Sequence, residues 1–372
     1  MIFFKRMLIV LCCFLFVQNS SDAKTKNNPK IFFESTGTIH HIFVKDQQVV
    51  IQGSVLPHSS FMVDSFQISF ADKNYVIYCG PLKAGFFSLM LPLSLEELAR
   101  LNNQLIKVTP LMGNGCYSHS LYYIYQPAIP VPSYEETVAV GHGDFIKTGF
   151  DILGLLIGRG ELKRTDTVLD IGCGLGRVAY PLAYYLKPDA RYEGFDVEEN
   201  LVLKAQEILN PHMPYFNFQH ANIYNSVYNP NGDVLSSQFR FPYADEIFDF
   251  IFLTSVFTHM LPEDICHYLS EIQRVLKPQG TCLVTSFLLE NESMNLMSAG
   301  KSMFNFQYPY GDCFIVNTSY PEGAVAYEKP KFLHWISAAG LKIHQIYKGS
   351  WCGRTKNYTS FQDILILKKS SV

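Results

Sequence analysis

Two different patterns of hydrophobic and polar positions divide the chain. In the first, residues such as Phe66, Ile68 and Phe70 alternate with polar ones, and turn-forming residues recur roughly every ten positions. Such alternation places hydrophobic side chains on one face of each strand, so residues 31–126 are predicted to form a small β-sandwich-like domain. Ser94 and Glu97 have the spacing of a capping box, which predicts one short helix within this domain.

The second pattern begins after a proline-rich linker at residues 127–137. Over residues 138–370, short apolar runs such as Val168–Ile171 alternate with segments of helical periodicity. Apolar runs of this kind are typical of parallel strands that helices cover on both faces. The second domain is therefore predicted to be an α/β fold with a doubly wound sheet. Residues 288–327 are longer than an ordinary connection and are predicted to form a substrate cap.

A glycine-rich turn follows the first strand of this second domain. Gly172, Gly174 and Gly176 alternate, and Asp170 precedes them. A dinucleotide-binding turn has the spacing G-x-G-x-x-G, but Arg177 occupies the place of its third glycine. Asp170 would repel a diphosphate, whereas it can hold a cationic amine. The turn therefore favours S-adenosylmethionine, which carries an ammonium; a glycine turn without any ligand is the alternative.

The D-x-G-x-G-x-G pattern of residues 170–176 resembles motif I of the class I S-adenosylmethionine-dependent methyltransferases. The resemblance covers residues 138–370 and implies a seven-stranded, doubly wound sheet whose last strand is antiparallel. Asp196 ends the second strand, where an acid binds ribose hydroxyls. The pair Asn222-Ile223 resembles the segment that contacts adenine through an amide and an apolar face. The residues predicted to bind the cofactor are Asp170, Gly172, Cys173, Gly174, Gly176, Asp196, Val197, Asn222, Ile223 and Thr254.

The segment after the fourth strand carries the candidate catalytic residue, His259. Methyl transfer to a neutral hydroxyl needs a base that removes the proton, and an imidazole is suited to that role. A structural hydrogen bond is the alternative role for His259. His142, in the segment before the first strand, is the second candidate base.

Aromatic and basic residues near the same edge are candidates for binding the methyl acceptor. Tyr308 belongs to an alternating aromatic run in the insertion, for which a local hydrophobic core is the alternative. Trp351 and Arg354 follow the sixth strand, where an arginine can pair with a carboxylate through two hydrogen bonds. We therefore expect methyl transfer to an oxygen or nitrogen nucleophile of a small-molecule acceptor, lipid-like or saccharide-like.

Two other functions are compatible with the same residues. One is a catalytically inactive cofactor-binding protein that recognises partners through its β-domain. The other is a nicotinamide-dependent reductase, against which the early third glycine argues.

The N-terminus and the composition bear on location and partners. Residues 1–23 place Lys5 and Arg6 before an apolar run, as in a secretory signal peptide or an N-terminal anchor. Export or membrane association is therefore expected, while catalysis in the cytosol, where the cofactor is made, is the alternative. A net charge of −3 gives no support to nucleic-acid binding. The β-domain is expected to dock another protein or a glycan.

The cysteines lack the C-x-x-C spacing, so neither a metal site nor a disulfide framework is predicted. Cys79 and Cys116 lie in the same domain, and an exported protein can join them in one bridge.

Overall fold

The structure is a computed structural model that describes residues 37–369 apart from short gaps. The gaps are residues 46–47, 56–61, 71–72, 83–84, 95–96, 98–99, 102, 113–119, 126 and 138–143. Three predictions fall on residues outside this description: the signal or anchor at 1–23, the second candidate base His142, and the Cys116 half of the proposed bridge. No helix in the described ranges is long and apolar enough to cross a membrane.

Antiparallel strands form the N-terminal β-domain. They are β1 (Gly37–Lys45), β2 (Gln48–Val55), β3 (Val63–Phe70), β4 (Lys73–Leu82), β5 (Gly85–Pro92), β6 (Leu105–Met112) and β7 (Leu121–Ile124). They build two sheets, in the orders β1-β2-β5 and β4-β3-β6-β7, and buried side chains from both sheets share one core. The alternation on β3 is confirmed, since Phe66, Ile68 and Phe70 are all buried. Ser94 and Glu97 make the reciprocal hydrogen bonds of a capping box.

One seven-stranded sheet organises the second domain. Its strands are β8 (Val168–Ile171), β9 (Tyr192–Asp196), β10 (Phe216–His220), β13 (Phe248–Leu253), β14 (Leu276–Ser286), β19 (Leu341–Tyr347) and β20 (Asp363–Lys369). Their order across the sheet is β10-β9-β8-β13-β14-β20-β19. The final strand, β20, is antiparallel to both of its neighbours, and the other pairs in the sheet are parallel. The predicted doubly wound sheet with an antiparallel last strand is confirmed.

Both faces of this sheet are buried, which explains the continuous apolar runs. On β13, Ile251 and Leu253 belong to one hydrophobic core, whereas Phe250 and Phe252 belong to a second core. Successive side chains of a strand point to opposite faces, so the two cores lie on opposite sides of the sheet. The helices with bounds in the described part of the chain are α1 (Tyr134–Thr137), α2 (Phe145–Gly158), α3 (Ala179–Tyr185), α4 (Glu199–Leu209), α5 (Pro262–Val275), α6 (Asn291–Ser298) and α7 (Lys329–Ala338).

The fifth strand of the sheet starts earlier than the sequence predicts. The pattern predicts a turn at 277–280 followed by a strand from Thr281, but β14 extends back to Leu276. Phe248 pairs with Leu276 and Phe250 pairs with Thr281, so the intervening residues bulge out of the ladder. The bulge retains the turn-like backbone that the sequence indicates, because Gln279 has a φ of +61°.

Two connections at the carboxyl edge of the sheet carry structure of their own. The insertion after β14 forms a small sheet of β15 (Leu288–Leu289), β16 (Tyr308–Tyr310), β17 (Cys313–Ile315) and β18 (Val325–Glu328). A single 3-10 turn in it, Pro321–Gly323, is called the cap turn below. The connection after β10 contains the paired strands β11 (Ile223–Tyr224) and β12 (Val234–Leu235), and residues 222–235 are called the flap.

Helix α2 links the β-domain to the glycine-rich turn. Thr38 Oγ1 on β1 donates a hydrogen bond of 2.8 Å to Asp151 Oδ1 on α2. On the same helix, a Cβ added to Gly149 would lie 2.4 Å from the carbonyl oxygen of Arg177. The absence of a side chain at Gly149 therefore lets α2 pack directly against the residue that ends the turn.

Candidate cofactor-binding and active site

The glycine-rich turn joins β8 to α3 at the carboxyl edge of the sheet. Gly172, Gly174 and Gly176 have φ values of +79°, +49° and +80°, a region that side chains disfavour. The amides of Gly172 and Cys173 donate hydrogen bonds of 2.9 and 3.1 Å to the carbonyl oxygen of Phe195. These bonds hold the turn against β9, so it forms a fixed cradle in which backbone can contact a flat ligand.

Substitution of Gly172 tests this cradle. A Cβ there would lie 2.4 Å from Cγ2 of Val256, in addition to the strain of its positive φ. We expect Gly172→Ala to weaken binding of S-adenosylhomocysteine about tenfold or more in isothermal titration calorimetry, because the turn must shift away from the ligand position. Gly300→Ala is the matched control, since Gly300 has a φ of +66° but no atom within 4 Å of an added Cβ. Equal losses of affinity in the two variants would contradict the prediction.

Asp196, at the end of β9, lies beside the turn. Its Oδ2 accepts a hydrogen bond of 2.7 Å from the Gly174 amide, and its Oδ1 accepts one of 2.9 Å from the Glu198 amide. An ionised carboxylate can accept about four hydrogen bonds, so Asp196 retains acceptor capacity for two hydroxyl groups. Burial raises the pKa of Asp196, and the bonds from the Glu198 and Gly174 amides act in the opposite direction.

Asp170 on β8 is a buried acid, with an exposed fraction of 2 %. The Tyr192 hydroxyl donates a hydrogen bond of 2.7 Å to its Oδ2. Burial raises the pKa of Asp170 to about 8, and the negative charge of Asp196 acts in the same direction. A nearby cation would relieve the desolvation of this carboxylate. The buried acid and the cradle without side chains therefore fit a nucleoside that carries an ammonium, with Asp170 as the residue that would hold the cationic end.

The pKa of Asp170 makes the stability of the fold depend on pH. Between its usual pKa of 3.8 and its folded value of about 8, the folded protein keeps a proton that the unfolded chain has released. Stability should therefore fall as pH rises through this interval, by at most about 1.4 kcal/mol per pH unit. Asp170→Asn removes the titration, so calorimetric melting temperatures of the variant should fall less with rising pH. The exposed Asp189→Asn is the control, and parallel curves for Asp170→Asn and the wild type would contradict the assignment.

The adenine segment is only partly arranged as the resemblance implies. Asn222 is exposed, but its Nδ2 donates a hydrogen bond of 2.8 Å to Asp233 within the flap. An adenine edge would have to compete with Asp233 for this amide group. The role predicted for Ile223 is corrected, because its side chain is fully buried in the core and has no face left for a ligand. Val197 is only partly buried against that core and is the better candidate for an apolar contact with adenine.

Two further predicted cofactor residues lie at the same edge. Cys173 is buried, and its Cβ lies 2.9 Å from the position of a Cβ added to Gly194. Burial raises the pKa of the Cys173 thiol, which supports its interpretation as a small packing residue of the turn. Thr254 is half-buried directly after β13. The next residue, Ser255, has a φ of +63°, and its amide donates a hydrogen bond of 2.8 Å to Thr285 Oγ1.

His259 ends a 3-10 turn, Phe257–His259, that follows β13. Its Nδ1 lies 3.0 Å from the carbonyl oxygen of Glu322, and because a carbonyl only accepts, Nδ1 carries the hydrogen. Nε2 then keeps its lone pair and lies 3.4 Å from the hydroxyl of Tyr228. Burial lowers the pKa of His259, partly offset by the bond to Glu322, so the neutral ring is favoured.

The residues predicted to bind the acceptor have internal partners. Trp351 is buried, and its Nε1 donates a hydrogen bond of 2.8 Å to Asp363 Oδ2. Arg354 is also buried, and its Nε and Nη2 donate to the two carboxylate oxygens of Glu292, at 3.1 and 3.2 Å. The carboxylate that pairs with Arg354 therefore belongs to Glu292 and not to an acceptor. Trp351 and Arg354, predicted to bind the acceptor, instead have structural roles. Tyr308 lies exposed on β16 and remains accessible.

The aromatic run of the insertion divides between a core and the surface. Phe304 and Phe306 pack with Phe287 and Trp351 in a small hydrophobic core, as the alternative interpretation predicts. The hairpin position that follows them, Tyr308, turns to solvent. The insertion is therefore a folded subdomain, in which Phe304, Phe306 and Phe314 pack in the small core whereas Tyr308, Tyr310 and Tyr320 are exposed.

Tyr228 and Glu322 are site residues that sequence reasoning missed. The Tyr228 ring meets the His259 ring edge-on, with centroids 5.2 Å apart and an interplanar angle of 88°. Burial raises the pKa of Tyr228, and the carboxylates of Glu198 and Asp196 add to the effect, so this tyrosine lies near the acid predicted to bind ribose as well as against the candidate base. The length of the connection from 221 to 247 was the available signal, since long connections at this edge are usually functional.

Among the described residues, no group of three or more His, Cys, Asp and Glu side chains could hold a metal ion. Cys79 lies in that part of the chain, whereas Cys116 does not, so their pairing stays a prediction.

Comparisons with known proteins identify the family of the second domain. A family model described as a methyltransferase domain matches residues 162–347. An uncharacterized methyltransferase of Schizosaccharomyces pombe is 29% identical over 119 residues, which cover 32% of this chain and 39% of that protein. A probable methyltransferase of Aspergillus luteorubrus is 29% identical over 124 residues, again 32% of this chain and 39% of the relative. The match thus spans well under half the length of both relatives.

A solved structure of a TehB-like SAM-dependent methyltransferase from Corynebacterium glutamicum is 15% identical, with a TM-score of 0.37, covering 64% of this chain and 94% of that one. The family match itself spans half of the chain and includes the glycine-rich turn, Asp196 and His259. The strand order and the buried acid before three alternating glycines agree with that match. The chain therefore belongs to the methyltransferase domain family, as a class I member with S-adenosylmethionine as its cofactor.

Proposed function

We propose that this protein transfers the methyl group of S-adenosylmethionine to an oxygen or nitrogen nucleophile of a small-molecule acceptor, with His259 as the general base. The observation that carries the proposal is the hydrogen bond from His259 Nδ1 to the Glu322 carbonyl, which leaves Nε2 free to accept a proton. When bound, the cofactor supplies a methyl group on a sulfonium, and the remaining steps belong to the residues of the chain.

Residues of the chain would position the cofactor and the acceptor, and one residue would remove a proton from the acceptor. Asp170 and the glycine-rich turn would hold the amino acid end of the cofactor, while Asp196 binds the ribose. His259 lies in the segment directly after β13, next to β8 in the sheet, so the base and the cradle share one edge. Burial lowers the pKa of His259, so its ring is neutral near pH 7 and can take a proton from an acceptor hydroxyl.

Exposed apolar side chains in the flap and the insertion support a lipid-like acceptor. Val227 and Tyr228 in the flap and Tyr320 beside the cap turn are all exposed. Apolar side chains grouped at the edge of a binding site commonly contact an apolar ligand. Exposed polar side chains in the same flap, Asn222, Asn231 and Asp233, could instead contact a saccharide-like acceptor.

Transfer of a labelled methyl group tests the proposal. Purified full-length protein is incubated with S-adenosylmethionine tritiated on the methyl group and with separate lipid and polar small-molecule extracts. Label in the lipid fraction is the expected result, and label in the polar fraction alone would move the proposal to a saccharide-like acceptor. A thermal shift with S-adenosylhomocysteine but no transfer to either extract would favour the inactive cofactor-binding protein. A shift with NADH in place of S-adenosylhomocysteine would contradict both.

We propose a recognition role for the β-domain, in which it docks another protein or a glycan. Phe86 on β5 supports this role, since its ring is 82 % exposed and lies 5.7 Å from the ring of His40. Export or membrane association through residues 1–23 is likewise a proposal, and mass spectrometry of the mature N-terminus tests it.

A further inference from the structure

Glu322, in the cap turn, is a buried carboxylate whose hydrogen-bond donors are uncharged. Asn225 Nδ2 and the Ser226 amide each donate to it at 2.9 Å, and the Ser226 hydroxyl donates a third hydrogen bond. Its side chain is nearly inaccessible to solvent. A buried carboxylate without a paired cation is unfavourable unless hydrogen bonds satisfy its lone pairs. The three donors come from the flap, so these bonds hold the flap and the cap turn together.

The same turn orients His259 through its backbone. The Glu322 carbonyl oxygen accepts the hydrogen bond from His259 Nδ1 at 3.0 Å. The insertion also holds the 3-10 turn of His259 at a second point, because the Tyr327 hydroxyl on β18 lies 2.9 and 2.5 Å from the carbonyl oxygens of Phe257 and Met260, which share its single hydrogen. The orientation of the imidazole thus depends on where the insertion places residue 322.

The flap side of this contact presents Tyr228. Asn225 Oδ1 accepts hydrogen bonds of 3.0 Å from the amides of Val227 and Tyr228, which shapes the chain between them. Asn225 is in turn held by Glu322. The Tyr228 hydroxyl then lies against the His259 ring, 3.4 Å from Nε2, which has the free lone pair, and 3.5 Å from Nδ1.

We propose that Glu322 is a positioning residue, which fixes the tautomer of His259 through its backbone and places Tyr228 against the same ring through its side chain. The inference rests on the proposed function only in that it treats His259 as the base. It makes the insertion a part of the active site, because a residue 63 positions after His259 decides which ring nitrogen is free.

Glu322→Gln is the sharpest test of this proposal. Glutamine has nearly the same shape, but it offers only one acceptor oxygen, so its NH₂ group must face either the Nδ2 donor of Asn225 or the two donors of Ser226. Two donors facing each other should push the cap turn and the flap apart, and the Glu322 carbonyl should move with them. Ser226→Ala removes only the hydroxyl donor and is the milder second variant if Glu322→Gln does not fold.

The readout is the tautomer of His259, measured by nitrogen NMR of full-length protein with ¹⁵N-labelled histidine, with the signal assigned by its loss in His259→Gln. The wild type should show a protonated Nδ1 and an unprotonated Nε2. In Glu322→Gln, or to a smaller extent in Ser226→Ala, both nitrogens should move towards the averaged shifts of exchanging tautomers. Glu328→Gln is the matched control, since Glu328 ends β18 directly after the insertion but pairs with Lys331 at 3.2 Å, and it should leave the spectrum unchanged.

An unchanged His259 spectrum in folded Glu322→Gln would overturn the inference. Failure of this inference about Glu322 can be distinguished from failure of the proposed function. The NMR experiment needs no acceptor, and the labelled-methyl assay does not use the Glu322→Gln variant. With an acceptor available, Glu322→Gln should lower kcat about tenfold with a smaller change in KM, and the loss should disappear in a His259→Ala background. An equal loss in that background would count against a role through His259.

Discussion

Asp196→Ala should abolish measurable binding of S-adenosylhomocysteine, in a thermal-shift assay and in calorimetry. Asp196 holds the Gly174 amide at 2.7 Å and the Glu198 amide at 2.9 Å, so its removal frees the glycine-rich turn as well as the ribose. Hydrogen bonds to a charged group contribute about 1.5–3 kcal/mol each. Loss of two bonds to ribose hydroxyls therefore corresponds to roughly 10²–10⁴-fold weaker binding.

The controls separate loss of the ribose contact from loss of the fold. Asp189→Ala removes an exposed carboxylate just before β9, at the opposite end of that strand, and should leave the affinity unchanged. Asp196→Asn keeps one acceptor oxygen and should bind at an intermediate level. Wild-type affinity in a folded Asp196→Ala protein would remove Asp196 from the cofactor site.

His259→Ala should slow methyl transfer by about 10²–10⁴-fold, the usual contribution of a general base, while S-adenosylhomocysteine affinity stays within about twofold. Burial lowers the pKa of His259, so the unprotonated ring is the dominant form at neutral pH. The wild-type kcat/KM should therefore rise with pH and level off at a lower pH than an ordinary imidazole would give, and this rise should be absent in the variant.

His212→Ala provides the matched control for this experiment, because His212 is an exposed histidine that follows α4. It should retain both the wild-type rate and the wild-type pH profile. A His259→Ala protein with full activity across the pH range would exclude His259 as the base and leave the structural bond to Glu322 as its role.

Most residues of the predicted cofactor site could be identified from short segments of the sequence. The strand that contains Asp170, the three glycines and the acid Asp196 are recognisable without coordinates, because β8, the turn, α3 and β9 follow one another in the chain and their geometry depends on nearby residues. The seven-stranded sheet was predictable for a similar reason, since its central strands, such as β8 and β13, are short apolar runs buried on both faces. The structural roles of Trp351 and Arg354 were not predictable, because the sequence does not show that Asp363 and Glu292 lie beside them.

By itself, the sequence determined the class of the fold, the order of its elements and the cradle for the cofactor, because hydrophobic period and glycine spacing act over a few residues. Only the tertiary structure decided which groups surround His259. Glu322 meets Asn225 across 97 positions and His259 across 63, and pairs so distant in the chain leave no local pattern. Their contact depends on how the insertion packs over the carboxyl edge of the sheet, and that packing is a property of the whole domain.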